Sequence, residues 1–226
     1  MIKYFSKKVL SFLAKPLRKK HVFITSSLQF LTRHKPIPTD CFDYIRLSSL
    51  ELAAAEINNR NLKGNVAELG VYAGGFAKFI NDYFPNRTLY LFDTFEGFDK
   101  RDVAVEHKND FSAGSDDFSN TSIEAVLKIM PFPEICIPKK GYFPESALGV
   151  EDSFVFVSID ADLYTPIYEG LKFFYPRLVN GGYIFVHDFN NELYKGARKA
   201  VEQFCREQNI GFVPIADSAG TAIIIK

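Results

Sequence analysis

The sequence predicts an α/β domain, doubly wound, whose mostly parallel seven-stranded sheet ends in an antiparallel hairpin. Three observations carry this expectation. From about residue 66 onward, short apolar runs alternate with helix-period segments, the pattern of parallel strands joined by helical crossovers. The last two runs, 212–215 and 221–225, are separated only by Ala216-Asp-Ser-Ala-Gly220, too short for a crossover, so they have to pair antiparallel. The 226 residues, 47% hydrophobic and 24% charged, suffice for one sizeable core and a small appendage.

The elements follow in order. Ser48 and Glu51 have capping-box spacing and predict the start of a helix. Leu50, Ala53, Ala54 and Ile57 give that helix one apolar face, and Gly64 lies past its end. A strand is expected over 66–69, a helix over 75–84 and a strand over 88–92. The polar stretch 101–120 is long for a loop and is expected to be either a lid over a cofactor or a disordered insert. Thr121 and Glu124 open the next helix. Strands over 135–138 and 154–159 follow, then a helix begun by Thr165 and Pro166, a strand over 183–186 and a helix over 195–206. Arg198 and Glu202 on that last helix are one turn apart and predict a solvated ion pair.

Charge and cysteine content narrow the function classes. Lys plus Arg equal Asp plus Glu at 27 each, which argues neither for nucleic acid nor for an acidic partner, and no nucleic-acid partner is expected. The distribution is uneven. No acid precedes Asp40, whereas Lys3, Lys7, Lys8, Lys15, Arg18, Lys19, Lys20, Arg33 and Lys35 do. The chain therefore divides into a basic arm and linker, 1–46, expected to be helical, and a domain over 47–226. The arm also carries Phe5, Val9, Leu10, Phe12, Leu13 and Leu17, a pattern compatible with peripheral contact at an anionic membrane or with docking on protein. Its apolar stretch stops at Lys15 and Pro16, far short of a membrane span. Cys41, Cys136 and Cys205 have no metal or redox spacing and suit a reducing, cytoplasmic setting.

The chemistry concentrates at strand ends. Glu68-Leu-Gly-Val-Tyr-Ala-Gly-Gly75 follows the first strand, and its glycines would let backbone approach a ligand at a helix N-terminus. The spacing is not the G-x-G-x-x-G of dinucleotide sites. Gly70, Val71, Tyr72 and Gly74 are cofactor candidates. Asp93 closes the second strand, with Thr94 beside it, where a carboxylate accepts ribose hydroxyls of NAD or S-adenosylmethionine alike; capping of its own loop is the alternative. Glu68 suits the cationic methionine end of S-adenosylmethionine and would repel a pyrophosphate. Gly141 and Tyr142, after the third strand, border the same crevice, with Phe143 next to them. Asp160 and Asp162 end the fourth strand, and His187 and Asp188 the fifth. Acids converging there would make an oxygen-rich site for Mg²⁺ or another divalent cation.

The runs AELGVYAGG, LYLFDTFEGF and FVSIDADLYTPIYEGLKFFYPRLVNGGYIFVHDF, in that order and spacing, resemble the macrocin O-methyltransferase family of class I, Rossmann-like methyltransferases over roughly 47–205. The resemblance implies transfer of a methyl group from S-adenosylmethionine to a sugar hydroxyl of a natural product. It implies that Asp160 binds a divalent metal, besides facing the cofactor, and that Asp162 is the general base. The family usually has two adjacent acids after the fifth strand. Here Asp188 keeps the ligand role, while His187 is open to binding metal, contacting substrate or packing. A nucleotide-dependent oxidoreductase explains Asp93 but neither Glu68 nor the terminal hairpin; a non-catalytic membrane-associated module leaves the acid set without a purpose. The expected partner is a small, carbohydrate-containing acceptor, with homo-oligomerisation left open.

Overall fold

The structure, a computed structural model, describes residues 43–226 and, before them, Pro16 alone. The expected helical arm, its membrane contact and Cys41 lie outside the described residues. Among the described residues, no helix is long and apolar enough to cross a membrane.

The strands are β1 (Asn65–Leu69), β2 (Leu89–Asp93), β3 (Cys136–Lys140), β4 (Phe154–Ile159), β5 (Leu178–Val186), β6 (Val213–Ile215) and β7 (Thr221–Ile225). They form one sheet in the order β3-β2-β1-β4-β5-β7-β6. The first five run parallel, and β7 pairs antiparallel with both β5 and β6. The expected doubly wound sheet with its closing hairpin is therefore present. Chain order reverses between β1 and β4, and open α/β sheets bind ligands at such a switch point.

The helices are α1 (Tyr44–Asn59), α2 (Ala77–Tyr83), α3 (Lys100–Asn109), α4 (Ile123–Ile129), α5 (Tyr164–Arg177) and α6 (Lys195–Gln208). Helices α1, α2 and α4 bury Leu50, Ile57, Ile80 and Val126 against one sheet face. Helices α5 and α6 bury Ile167, Leu171, Phe174, Val201 and Phe204 against the other. A central strand covered on both sides has no solvent face. Phe154-Val-Phe-Val-Ser-Ile159 is buried at every position, as a continuous apolar run in a parallel sheet requires.

Several boundaries differ from expectation for identifiable reasons. Helix α1 starts at Tyr44 because the Asp43 carboxylate accepts the Ile45 and Arg46 N–H groups; Ser48 is a buried residue inside the helix and not its N-cap. Helix α4 is capped by Ser122, which accepts from Ala125 N–H, whereas the Thr121 hydroxyl donates to the Tyr72 carbonyl. The stretch 101–120 is not one loop. Asp99 caps α3 at its start, and Asp110 ends it in left-handed backbone.

Candidate active site

The carboxyl ends of β1, β2, β4 and β5 surround a cavity of about 500 Å³ lined by residues as far apart as Asp43 and Ser218. Gly70 makes the crossing possible. Its φ is +84°, and a Cβ there would lie 2.1 Å from the Asp160 carbonyl oxygen. Any side chain would push the β1 loop off the end of β4. Glu68, Gly70, Val71, Tyr72, Asp93, Thr94, Gly141, Tyr142, Asp160, Asp162, His187 and Asp188 all line this cavity. Gly74 does not. A Cβ on Gly74 would meet Met130, Val126 and Ile129 at 3.0–3.2 Å, so its smallness lets α4 pack closely. Gly75 is the loop glycine that reaches the cavity.

On the β1–β2 side, Asp93 ties two loops together. One carboxylate oxygen accepts from Val71 N–H at 2.6 Å and Tyr72 N–H at 2.9 Å, and the other from Phe95 N–H at 2.7 Å. The loop-capping alternative thus describes Asp93 here, and the Val71 and Tyr72 amides are spent on it rather than open to a ligand. Thr94 donates to the Gly97 carbonyl at 2.6 Å. Tyr142 bonds the buried Asp102 at 3.0 Å, with the Arg101 guanidinium 3.5 Å above its ring. Glu68 differs from all of these. It is 1% exposed, and neither carboxyl oxygen has a hydrogen-bond partner. Burial, then the Asp160 charge, pushes its carboxyl well above the usual range against the pull of Arg46.

Across the crevice the acids converge as expected. His187 Nδ1 lies 3.0 Å from Asp160 Oδ1 and 2.9 Å from Asp188 Oδ2. One donor atom from each of these three residues falls within 4.8 Å of the others. Burial disfavours the Asp160 anion, but the Arg46 charge and the His187 hydrogen bond outweigh it and hold this carboxyl well below the usual range. Burial likewise lowers His187, yet its bonds to Asp160 and Asp188 prevail and raise the imidazole to about 10. Asp162 goes the other way. Burial and the charges of Asp188 and Asp160 push it well above the usual carboxylate range. Asp162 and Asp188 both occupy left-handed backbone, φ +58° and +59°, a conformation Asp tolerates better than most residues.

Among the cavity residues that went unnoticed in the sequence, Arg46, Asp43 and Phe118 matter most. Arg46, in the first turn of α1, is 2% exposed and places Nη2 2.9 Å from Asp160 Oδ2. Asp43 uses its second oxygen to accept Ser218 N–H at 2.5 Å, which joins the start of α1 to the β6–β7 turn. The stretch 101–120 contributes Phe118, whose ring meets Tyr72 edge-on at 5.1 Å.

Comparison with known proteins places the fold. The demethyldecarbamoylnovobiocin O-methyltransferase of Streptomyces niveus is 22% identical over 165 residues, covering 64% of this chain and 60% of that protein's length. Two solved structures share the fold. The O-methyltransferase NovP superposes with a TM-score of 0.65 at 19% identity, over 80% of this chain and 79% of that one. The calicheamicin methyltransferase CalS11 gives 0.64 at 18%, over 80% and 78%. The family profile described as Macrocin-O-methyltransferase (TylF) matches residues 42–224, and the chain belongs to that family.

Proposed function

We propose that the protein transfers a methyl group from S-adenosylmethionine to a hydroxyl of a sugar or glycosylated natural product. The observation that carries this reading is Glu68, a buried carboxyl without a partner at the switch point of the sheet, opposite the acid cluster. An unpaired buried acid is costly, and the cationic methionine end of S-adenosylmethionine would relieve it. A dinucleotide would bring its pyrophosphate to the same place and worsen it. Gly70, Gly75, Gly141 and Tyr142 all line the cavity; the two loop glycines would leave room for the cofactor, and Gly141 and Tyr142 would meet its adenosyl end.

The donor set of Asp160, His187 and Asp188, two carboxylates and an imidazole that would give up the proton it shares with them, fits a divalent cation of the Mg²⁺ or Mn²⁺ kind. Bound there, such an ion would lower the pKa of a hydroxyl held against it. The remaining steps belong to the side chains. Asp162, at the cavity wall beside this set, accepts the hydroxyl proton as the oxygen attacks the methyl carbon, and the electrons of the breaking C–S bond stay on sulfur. Strand ends fixed in the sheet would hold the acceptor hydroxyl close to the methyl donor, a contribution of up to about 7–11 kcal/mol in favourable systems. One relative is named for demethyldecarbamoylnovobiocin, and a second CalS11 structure is described as a TDP-rhamnose 3′-O-methyltransferase; the latter supports a sugar-bearing acceptor.

The test is a mass-spectrometric screen of glycosides and sugar nucleotides with S-adenosylmethionine, run with Mg²⁺ and with chelator. A product heavier by one methylene unit, lost on chelation, is expected. A product formed equally with chelator would remove the metal from the reading. NAD binding with no affinity for S-adenosylhomocysteine would overturn the reading itself.

A further inference from the structure

We infer that Arg46 restrains the acid cluster, claiming one oxygen of Asp160 and weakening the hold on a divalent cation so that the site stays open to the acceptor. The inference rests on the metal-dependent reading above. Asp160 has its two oxygens on different duties. Oδ2 is 2.9 Å from Arg46 Nη2, and Oδ1 faces His187 Nδ1 at 3.0 Å. A cation at the cluster is therefore offered a single oxygen of Asp160, the other being taken by a fixed positive charge.

That charge is built in. The Arg46 guanidinium lies 3.9 Å above the Phe76 ring centroid, and Nη2 also reaches Ser158 Oγ at 3.4 Å. Its backbone N–H is held by the Asp43 cap. An arginine at 2% exposure needs a counter-charge, because burying a charge without one is prohibitive, and Asp160 supplies it. Two consequences for the cation have the same sign. The guanidinium repels it, and it withholds a donor atom. With a dication one carboxylate away, the Coulomb term alone corresponds to about tenfold in affinity even at a water-like dielectric.

Removing the charge should therefore tighten cation binding while harming turnover, a combination that loss of structure does not produce. In Arg46→Met, Mn²⁺ affinity measured from the free-ion electron paramagnetic resonance signal should rise by about tenfold or more. The S-adenosylhomocysteine affinity should stay within about threefold, and kcat at saturating Mn²⁺ should fall. Arg46→Lys, which keeps the charge, should bind Mn²⁺ within about threefold of the natural protein. If the Met variant does not fold, Arg46→Gln makes the same comparison. Unchanged or weaker Mn²⁺ binding in the neutral variants, beside clear binding by the natural protein, would overturn the role of Arg46. No Mn²⁺ binding by the natural protein would sink the metal-dependent reading and this inference with it.

Discussion

Asp162 sits in left-handed backbone two residues past Asp160, and asparagine tolerates that conformation as well as aspartate. Asp162→Asn thus removes the proton acceptor and leaves the turn intact. Turnover should fall by about 10²- to 10⁴-fold, the usual worth of a general base, with S-adenosylhomocysteine binding unchanged; unaltered turnover removes Asp162 from that role. Asp102 tests a different effect. Burial first, opposed by the Tyr142 hydrogen bond, raises its carboxyl to about 6. The folded state therefore holds a proton that the unfolded state releases between its ordinary value of 3.8 and about 6, so stability falls as pH rises through that window. Asp102→Asn should raise Tm by several degrees at pH 8 and leave it unchanged at pH 4, followed by thermal denaturation across pH. At this scale the sequence showed what type carries: acids at strand ends, glycines in a tight loop. Arg46 escaped because it fell at the end of the stretch assigned to the arm and linker, outside the domain where chemistry was sought. A signal existed, since Arg46, Leu50, Ala53 and Ile57 fall on one helical stripe, and a charge continuing an apolar stripe has to be buried against a counter-charge.

Helix α5 leads directly out of the Asp160–Asp162 turn, yet its N-cap, Leu163, has no side chain able to accept a hydrogen bond. The cap comes from another element. Glu106 of α3, fully buried, accepts Tyr164 N–H at 2.8 Å and the Ser112 hydroxyl at 2.6 Å, while Gly196 of α6 leaves space for its carboxylate. Replacing Glu106 with Ala strands two part-buried donors, each costing about 1–3 kcal/mol. At about 2–4 °C per kcal/mol for a body of this size, Tm should drop by about 4 °C or more, and Glu106→Gln should recover most of the loss through its amide oxygen. A Tm unchanged in Glu106→Ala would show that α5 needs no borrowed cap. Strands and helices with strong periodicity, such as β4, β7 and α6, were legible at their observed positions. Helix α3 was not, because Lys100-Arg-Asp-Val-Ala-Val-Glu-His-Lys-Asn109 exposes most of its surface and has no apolar stripe; a partner's needs hold it in place. The Ser48 and Thr121 caps failed for the complementary reason. Two better-placed side chains, Asp43 and Ser122, sat a few residues upstream of one and one residue downstream of the other.

The sheet order gathers residues from Asp43 to Ser218 around one cavity, so a ligand there draws on most of the described chain at once. Binding to such a site stabilises the folded body by mass action: at a hundred times Kd the gain is about 2.7 kcal/mol, which for a body of this size is a Tm rise of about 5–10 °C. S-adenosylhomocysteine should produce this shift and NAD should not. Glu68 makes the result diagnostic. Without ligand, its buried and unpartnered carboxyl burdens the fold, and its raised pKa means the burden grows as pH climbs above the ordinary carboxylate range. Glu68→Gln should accordingly melt higher than the natural protein at pH 8 in the absence of ligand, yet lose most of the S-adenosylhomocysteine shift. A variant that is both more stable alone and less responsive to ligand separates a binding group from a structural one, since a structural carboxyl would lose stability on neutralisation. If Glu68→Gln melts lower and keeps its full response, the cofactor's cationic end does not sit at the end of β1.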